Sequence, residues 1–308
     1  MRAAVRHRAF WSRAASAAPN VGEACSLDGQ FAWVVGGAGQ IGTGIVRGLL
    51  RAGATVICNS RHKPRLKALA AELGHPEKLI AFNGSMMPDG AEATINEVME
   101  LTAGQLNHVV AHSAVRWWGP GSCTYRDGDE TATLDAMNAG ARGNLLDLSV
   151  DEFAAAAVAL PQMQFAAARL LVPRLQAVEG ASYTFVTGGS GEDARSPLGQ
   201  INAQAVWGLA AALRSECKNK KASLKVSEVR VGLRFNRTVE ERRAEPRDQP
   251  LSHDVGTICA GLAAARGHDE WANALHPLNS NEDVLEAKRV FPASDKAYAT
   301  FFSPEDIL

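Results

Sequence analysis

Phe31-Ala32-Trp33-Val34-Val35-Gly36-Gly37-Ala38-Gly39-Gln40-Ile41-Gly42 joins an apolar run to a glycine cluster and then to a helical pattern. The run 31–35 has no charge and reads as a buried strand, and Ile41, Ile45 and Leu49 recur at helical spacing. Glycines at the junction allow a tight turn, a close approach of backbone to a ligand, and close packing of helix on strand. A helix beginning near Gln40 aims its N-terminal N–H groups and the positive end of its dipole at an anion. In this strand–turn–helix context the pattern is that of a dinucleotide pyrophosphate site formed by Gly36, Gly39, Gln40, Ile41 and Gly42. A tight strand-to-helix turn with no ligand is the simpler alternative.

Outward from that turn, strand and helix patterns alternate. Gly53 closes the first helix and Thr55–Cys58 is the next strand. Pro64–Leu73 reads as a helix stopped by Gly74, Lys78–Phe82 as a strand, Ala91–Leu101 as a helix, and His108–Ala111 as a fourth strand. Strict alternation of this kind builds a parallel sheet covered on both faces, so the fold class is α/β, a doubly wound parallel sheet. Residues 26–308 are expected to form one domain.

The second strand runs into Asn59-Ser60-Arg61, where a site for NAD would place an acid on the adenosine ribose. Ser60 and Arg61, with His62, Lys63 and Arg65 behind them, suit the 2′-phosphate of NADP instead. Basic residues in the first turn of a helix oppose its dipole, which favours a functional reason over a solvated terminus. NADP is therefore expected over NAD.

Regularity ends at residues 116–147, which hold Trp117-Trp118-Gly119-Pro120-Gly121 and a polar run around Arg126–Glu130. That length is an insertion rather than a connection, with a short helix expected near 130–139. Two long helices follow at 150–172 and 200–217, flanking a strand at Ser182–Thr187, and Pro161 is expected to kink or break the first. Leu224–Val231 is a sixth strand, 239–248 a solvated loop and Leu251–Ala265 a helix. Beyond Gly267 the pattern yields no assignment.

Composition bounds the function. With 46% hydrophobic residues, 21% charged residues and a net charge of −1, the chain can bury a core and lacks the basic excess of a nucleic-acid binder. The longest uninterrupted apolar stretch, Phe153–Leu160, is too short for a membrane span. Cys25, Cys58, Cys123, Cys217 and Cys259 are odd in number and widely spaced, which fits a reducing compartment and no metal site. Residues 1–25 contain Arg2, Arg6, Arg8 and Arg13 among alanines and serines, with no acid before Glu23. That is the composition of an import peptide for a mitochondrion or plastid; if it is only a disordered tail, the protein is cytoplasmic.

Over about residues 28–266 the chain resembles the short-chain dehydrogenase/reductase family. The resemblance is carried by Val35–Gly42, Gly53–Arg61, Gly104–Val110, the long helix ending at Pro173, and Gly208-Leu209 before Ala212-Leu213. It implies a Rossmann fold, dinucleotide contacts near Asn83 and Ala111, and oligomerisation or partner docking through helices 150–172 and 200–217. It also implies a catalytic tyrosine with a lysine four residues later, a serine and an asparagine. Here Gly199, Ala203 and Leu160 fall at the tyrosine, lysine and asparagine positions, and no Tyr-x-x-x-Lys occurs anywhere in the chain. Thr187 or Ser190 stands nearest the serine position.

A positioned general acid is worth roughly 10²–10⁴ in rate, so its loss is not a conservative change. His112 and Ser190, at the ends of the fourth and fifth strands, are the remaining polar candidates for catalysis. The sequence thus points to an NADP-binding family member without the usual hydride-transfer machinery, a structural or regulatory pseudoenzyme. An oxidoreductase with a different acid, and a scaffold that binds no nucleotide, are the alternatives.

Overall fold

Alternate residues of the central strands feed two separate apolar layers, and this alternation sets the architecture of the computed structural model. It describes residues 26–112, 145–188, 197–220, 222–233, 252–264 and 273–290. The strands are β1 (Phe31–Val35), β2 (Thr55–Ser60), β3 (Leu79–Asn83), β4 (Leu106–Ala111), β5 (Ser182–Gly188), β6 (Lys225–Val231) and β7 (Leu275–Leu278). The helices are α1 (Gln40–Arg51), α2 (Lys63–Glu72), α3 (Ala91–Leu101), α4 (Val150–Leu175), α5 (Pro197–Asn219), α6 (Ser252–Ala264) and α7 (Asn281–Val290). All strand pairs are parallel, in the order β3-β2-β1-β4-β5-β6-β7. The order reverses between β1 and β4, which opens a crevice at the carboxyl ends of those strands.

Ala32, Val34, Val56, Cys58 and Val110 face one layer, packed by α1, α2, α6 and α7. Trp33, Val35, Ile57, Val109 and Phe185 face the other, packed by α3, α4 and α5. On the first layer α1 and α6 meet backbone to backbone. A Cβ at Gly44 or Gly48 would overlap main-chain atoms of Ser252 or Gly256, so this approach requires glycine.

The expected elements recur with small shifts in their ends, but three readings change. α4 does not break at Pro161; it runs unbroken from Val150 to Leu175 through Pro161 and Pro173. The backbone N–H of Leu160 beside it donates to Asn202 Oδ1 on α5 at 3.2 Å, so a neighbouring side chain accommodates the turn that the proline disturbs. As a whole helix α4 has the length and apolar composition of a membrane span, which the uninterrupted stretch 153–160 did not suggest. It packs on β4, β5, α3 and α5 as a layer helix. Past Gly267 the sheet gains β7 and α7. The short helix expected at 130–139 and the loop 239–248 lie outside the described residues, as do residues 1–25 and most of the insertion.

Candidate functional site

The glycine turn works because three glycines do different jobs. Gly36 has φ +74, in the left-handed region that favours glycine. A Cβ on Gly42 would sit 2.6 Å from Gly37 Cα, so the start of α1 can approach the turn only without one. At Gly39 a Cβ would meet no protein atom within 4 Å; there the glycine keeps open the space beside the α1 N-terminus. That terminus has no side-chain cap and no acid in its first turn. Behind the turn, Cys58 is buried, and its thiol is pushed up to about 12, so it is inert.

One asparagine ties the turn to its neighbours. Asn59 Oδ1 accepts the N–H of Gly36 at 3.1 Å and the indole N–H of Trp33 at 3.0 Å. Its Nδ2 donates to the Gly84 carbonyl at 3.1 Å, which joins the ends of β1, β2 and β3. Ser60 Oγ accepts the His62 N–H at 3.1 Å and shapes the entry to α2. α2 also lacks an acid in its first turn, and Arg61, Lys63 and Arg65 cluster there with His62.

Gly36, Gly39, Ser60, Arg61 and His112 line one cleft, with Ala38, Asn59, His62, Arg65 and Gly84. Met86, Met87 and Met163 close its apolar wall. Its polar rim therefore joins an uncapped helix N-terminus to a basic corner, and its wall suits a flat apolar ring. These features fit a nicotinamide dinucleotide.

The remaining sequence candidates differ in where they lie. Gly42 and Ile41 support the turn from beneath, with Ile41 packed on the core, and Ala111 is buried at the end of β4 beside Val35 and Phe185. Asn83 is exposed and spends its amide on the Ser60 carbonyl at 3.0 Å, outside the cleft lining. Ser190 lies outside the described residues. Gln40 opens α1. His112 reaches the cleft, and burial pushes its imidazole down to about 4, leaving it neutral at pH 7.

Gly199 and Ala203 are buried in the first turns of α5, and Leu160 faces them from α4 through the Asn202 bond. Asn202 is fully buried and donates to the Leu198 carbonyl at 3.0 Å, so it is spent on structure. Sequence reasoning did not identify Asn59, Asn202 or the three methionines, because each acts across elements far apart in the chain.

The family model for short chain dehydrogenase matches residues 30–155. A comparison with curated protein sequences gives no match. The RhlG/NADP active-site complex of Pseudomonas aeruginosa shares the fold at 20% identity and TM-score 0.62, over 84% of this chain and 98% of that one. A 3-ketoacyl-(acyl-carrier-protein) reductase from Brucella melitensis, complexed with NADH, is similar at 16% identity and TM-score 0.61, over 84% and 100%. A dehydrogenase/reductase from Sinorhizobium meliloti 1021 is similar at 18% identity and TM-score 0.61, over 83% and 95%. The family-model match spans residues 30–155, less than half of the chain, and the solved structures share its parallel seven-stranded fold.

Proposed function

We propose that this protein binds NADP(H) in preference to NAD(H) and works as a structural or regulatory family member without the usual hydride-transfer groups. The observation that carries the cofactor preference is the corner of Ser60, Arg61, His62 and Arg65 at the mouth of the cleft, with no acid in the first turn of α2. A guanidinium there meets a 2′-phosphate by charge-assisted bonds and makes only weaker bonds to the neutral oxygens of a bare ribose hydroxyl pair. When bound, the nicotinamide supplies a hydride donor or acceptor. The chain's own residues hold the dinucleotide, and the two α5 positions where the family resemblance implies a tyrosine and a lysine are Gly199 and Ala203.

The similar solved structures complexed with NADP or NADH support the dinucleotide part of this reading. The loss of activity rests on Gly199, Ala203 and Leu160. An oxidoreductase with His112 as its acid is the second reading, favoured by the place of that residue in the cleft lining. Its neutral state at pH 7 counts against it. The arginine-rich residues 1–25 support import into a mitochondrion or plastid, ahead of one domain at 26–308.

Calorimetry with NADPH and NADH on protein lacking the leader tests the reading. We expect NADPH to bind more tightly, and Arg61→Asp to weaken NADPH while sparing NADH. Equal affinities for the two would overturn the preference, and no binding of either would leave a scaffold. A fluorescent fusion of residues 1–30 that stays in the cytosol would end the import proposal.

A further inference from the structure

A second polar site stands at the carboxyl ends of β5 and β6, where α5 covers the sheet. Glu228 is fully buried in β6, yet two arginines share its carboxylate. Arg230 donates to Oε1 through Nε at 3.0 Å and Nη2 at 2.8 Å, and Arg214 on α5 donates to Oε2 at 3.0 Å. Thr187 Oγ1 at the end of β5 also donates to Oε1, at 2.9 Å. The Arg230 guanidinium lies 4.0 Å from the ring centroid of Trp207, whose Nε1–H is fixed on the Gly188 carbonyl at 3.0 Å.

The group does not balance. Among the described residues two guanidiniums face one carboxylate, which leaves one positive unit in a half-covered place. Each guanidinium has about five N–H donors, and one carboxylate accepts about four bonds. Among the described residues Arg214 Nε and Nη2 and Arg230 Nη1 bond to no protein acceptor. Glu228, itself held by Thr187, meanwhile pins both arginines and Trp207 flanks Arg230, so their orientation costs little on binding. An ion pair built only for stability would match its charges, because burying a surplus one is costly.

We propose that Arg214 and Arg230 form a subsite for the carboxylate of a small organic acid, which Trp207 flanks. A planar guanidinium fork presents parallel N–H groups to a carboxylate, and the aromatic face favours the apolar remainder of such an acid. β5 lies beside β4, whose end reaches the dinucleotide cleft at His112, so acid and dinucleotide would share one sheet edge. The location beside a cofactor rests on the dinucleotide reading; the binding of the acid does not.

The test is a titration of the full chain with sodium propionate at constant ionic strength, read by calorimetry and by tryptophan fluorescence. We expect saturable binding, weakened about tenfold or more in Arg230→Gln. Trp207→Phe should lose the fluorescence response, and Arg61→Asp should bind propionate as before. If Arg230→Gln fails to fold, Arg230→Lys keeps a charge on Glu228 while losing the fork, and the same loss is expected. No saturable binding, equal affinity in the Arg230 variants, or tighter binding of inorganic phosphate than of propionate would overturn the proposal. Propionate binding without NADPH binding would instead defeat the dinucleotide reading and leave this one standing.

Discussion

The side-chain oxygen of Asn59 holds the backbone N–H of Gly36 at 3.1 Å, so the first glycine of the turn is fixed by the strand beside it. The same amide engages Trp33 and Gly84, and its residue is only 2% exposed. Asn59→Leu keeps the volume but strands two donors and a carbonyl. Unsatisfied buried groups cost about 1–3 kcal/mol each, and partial access to water discounts that sum. We expect a loss of about 3 kcal/mol in urea unfolding, together with weaker NADPH binding. A variant as stable as the parent would mean that the turn holds its own shape.

Two glycines in the same turn should separate folding from binding. In Gly42→Ala the new Cβ meets the main chain of Gly37, which cannot move aside as a side chain would. Overpacking of this kind costs about 1–3 kcal/mol. Gly39→Ala meets no protein atom, so its melting temperature should stay within a degree or two of the parent, while NADPH affinity falls by about tenfold or more as the methyl enters the ligand's space. Unchanged affinity in Gly39→Ala would remove that residue from the site.

The first half of the fold was legible because the α/β alternation writes itself in uninterrupted apolar runs and glycine stops. β7 was not, since Leu275-His276-Pro277-Leu278 has neither length nor an apolar run. It is an edge strand, where a proline is tolerated. α7 did carry a readable signal. Ser280 Oγ accepts the Asp283 N–H and Asp283 accepts the Ser280 N–H, a capping box that a Ser-x-x-Asp scan would flag. At the site, the basic corner at Arg61 was visible as composition. The knot at Asn59 and the Leu160–Asn202 bond were not, because a hydrogen bond between distant strands or helices leaves no period in a sequence.

On α4, Ala167 and Ala168 face the protein's own sheet, while Val158 and Phe165 are 49% and 53% exposed. The apolar outer side, which also includes Val150 and Phe153, supports self-association or partner docking through α4 and α5. We expect the parent to run larger than a monomer in light scattering, and a Val158→Glu, Phe165→Glu double variant to run as a folded monomer. A parent that is monomeric at micromolar concentration and recovers no partner from cells would end this proposal.

Stability should fall on mild acidification. Burial pushes His112 down to about 4, and it pushes His253 down as well, where Arg51, Arg47 and Lys288 add to the effect and Asp254 opposes it. Between pH 4 and about 6.5 the unfolded chain therefore binds protons that the folded chain refuses. The stabilisation is complete above about pH 6.5 and is lost as the pH drops toward 4. Urea unfolding should show about 1 kcal/mol or more lost between pH 7 and pH 5, and His112→Gln should flatten the curve. A flat profile in the parent would show that neither imidazole is shielded.

Catalysis is the hardest expectation to meet by accident. The family's reaction needs a proton moved at the substrate oxygen, and a phenol beside an ammonium does this well near neutral pH. On the proposed reading the two positions on α5 are Gly199 and Ala203, both buried, and the amide nearest them, Asn202, is committed to Leu160 and Leu198. Neutral His112 is a weak donor at pH 7. The purified protein should therefore bind NADPH yet show no reduction of simple ketones or aldehydes above a protein-free control. Any residual turnover should rise as the pH falls toward the range where His112 gains its proton, and should vanish in His112→Ala. Robust reduction with the pH dependence of a phenolic acid, or turnover that survives His112→Ala and Ser190→Ala together, would defeat the pseudoenzyme reading. A proton source would then have to come from elsewhere in the chain.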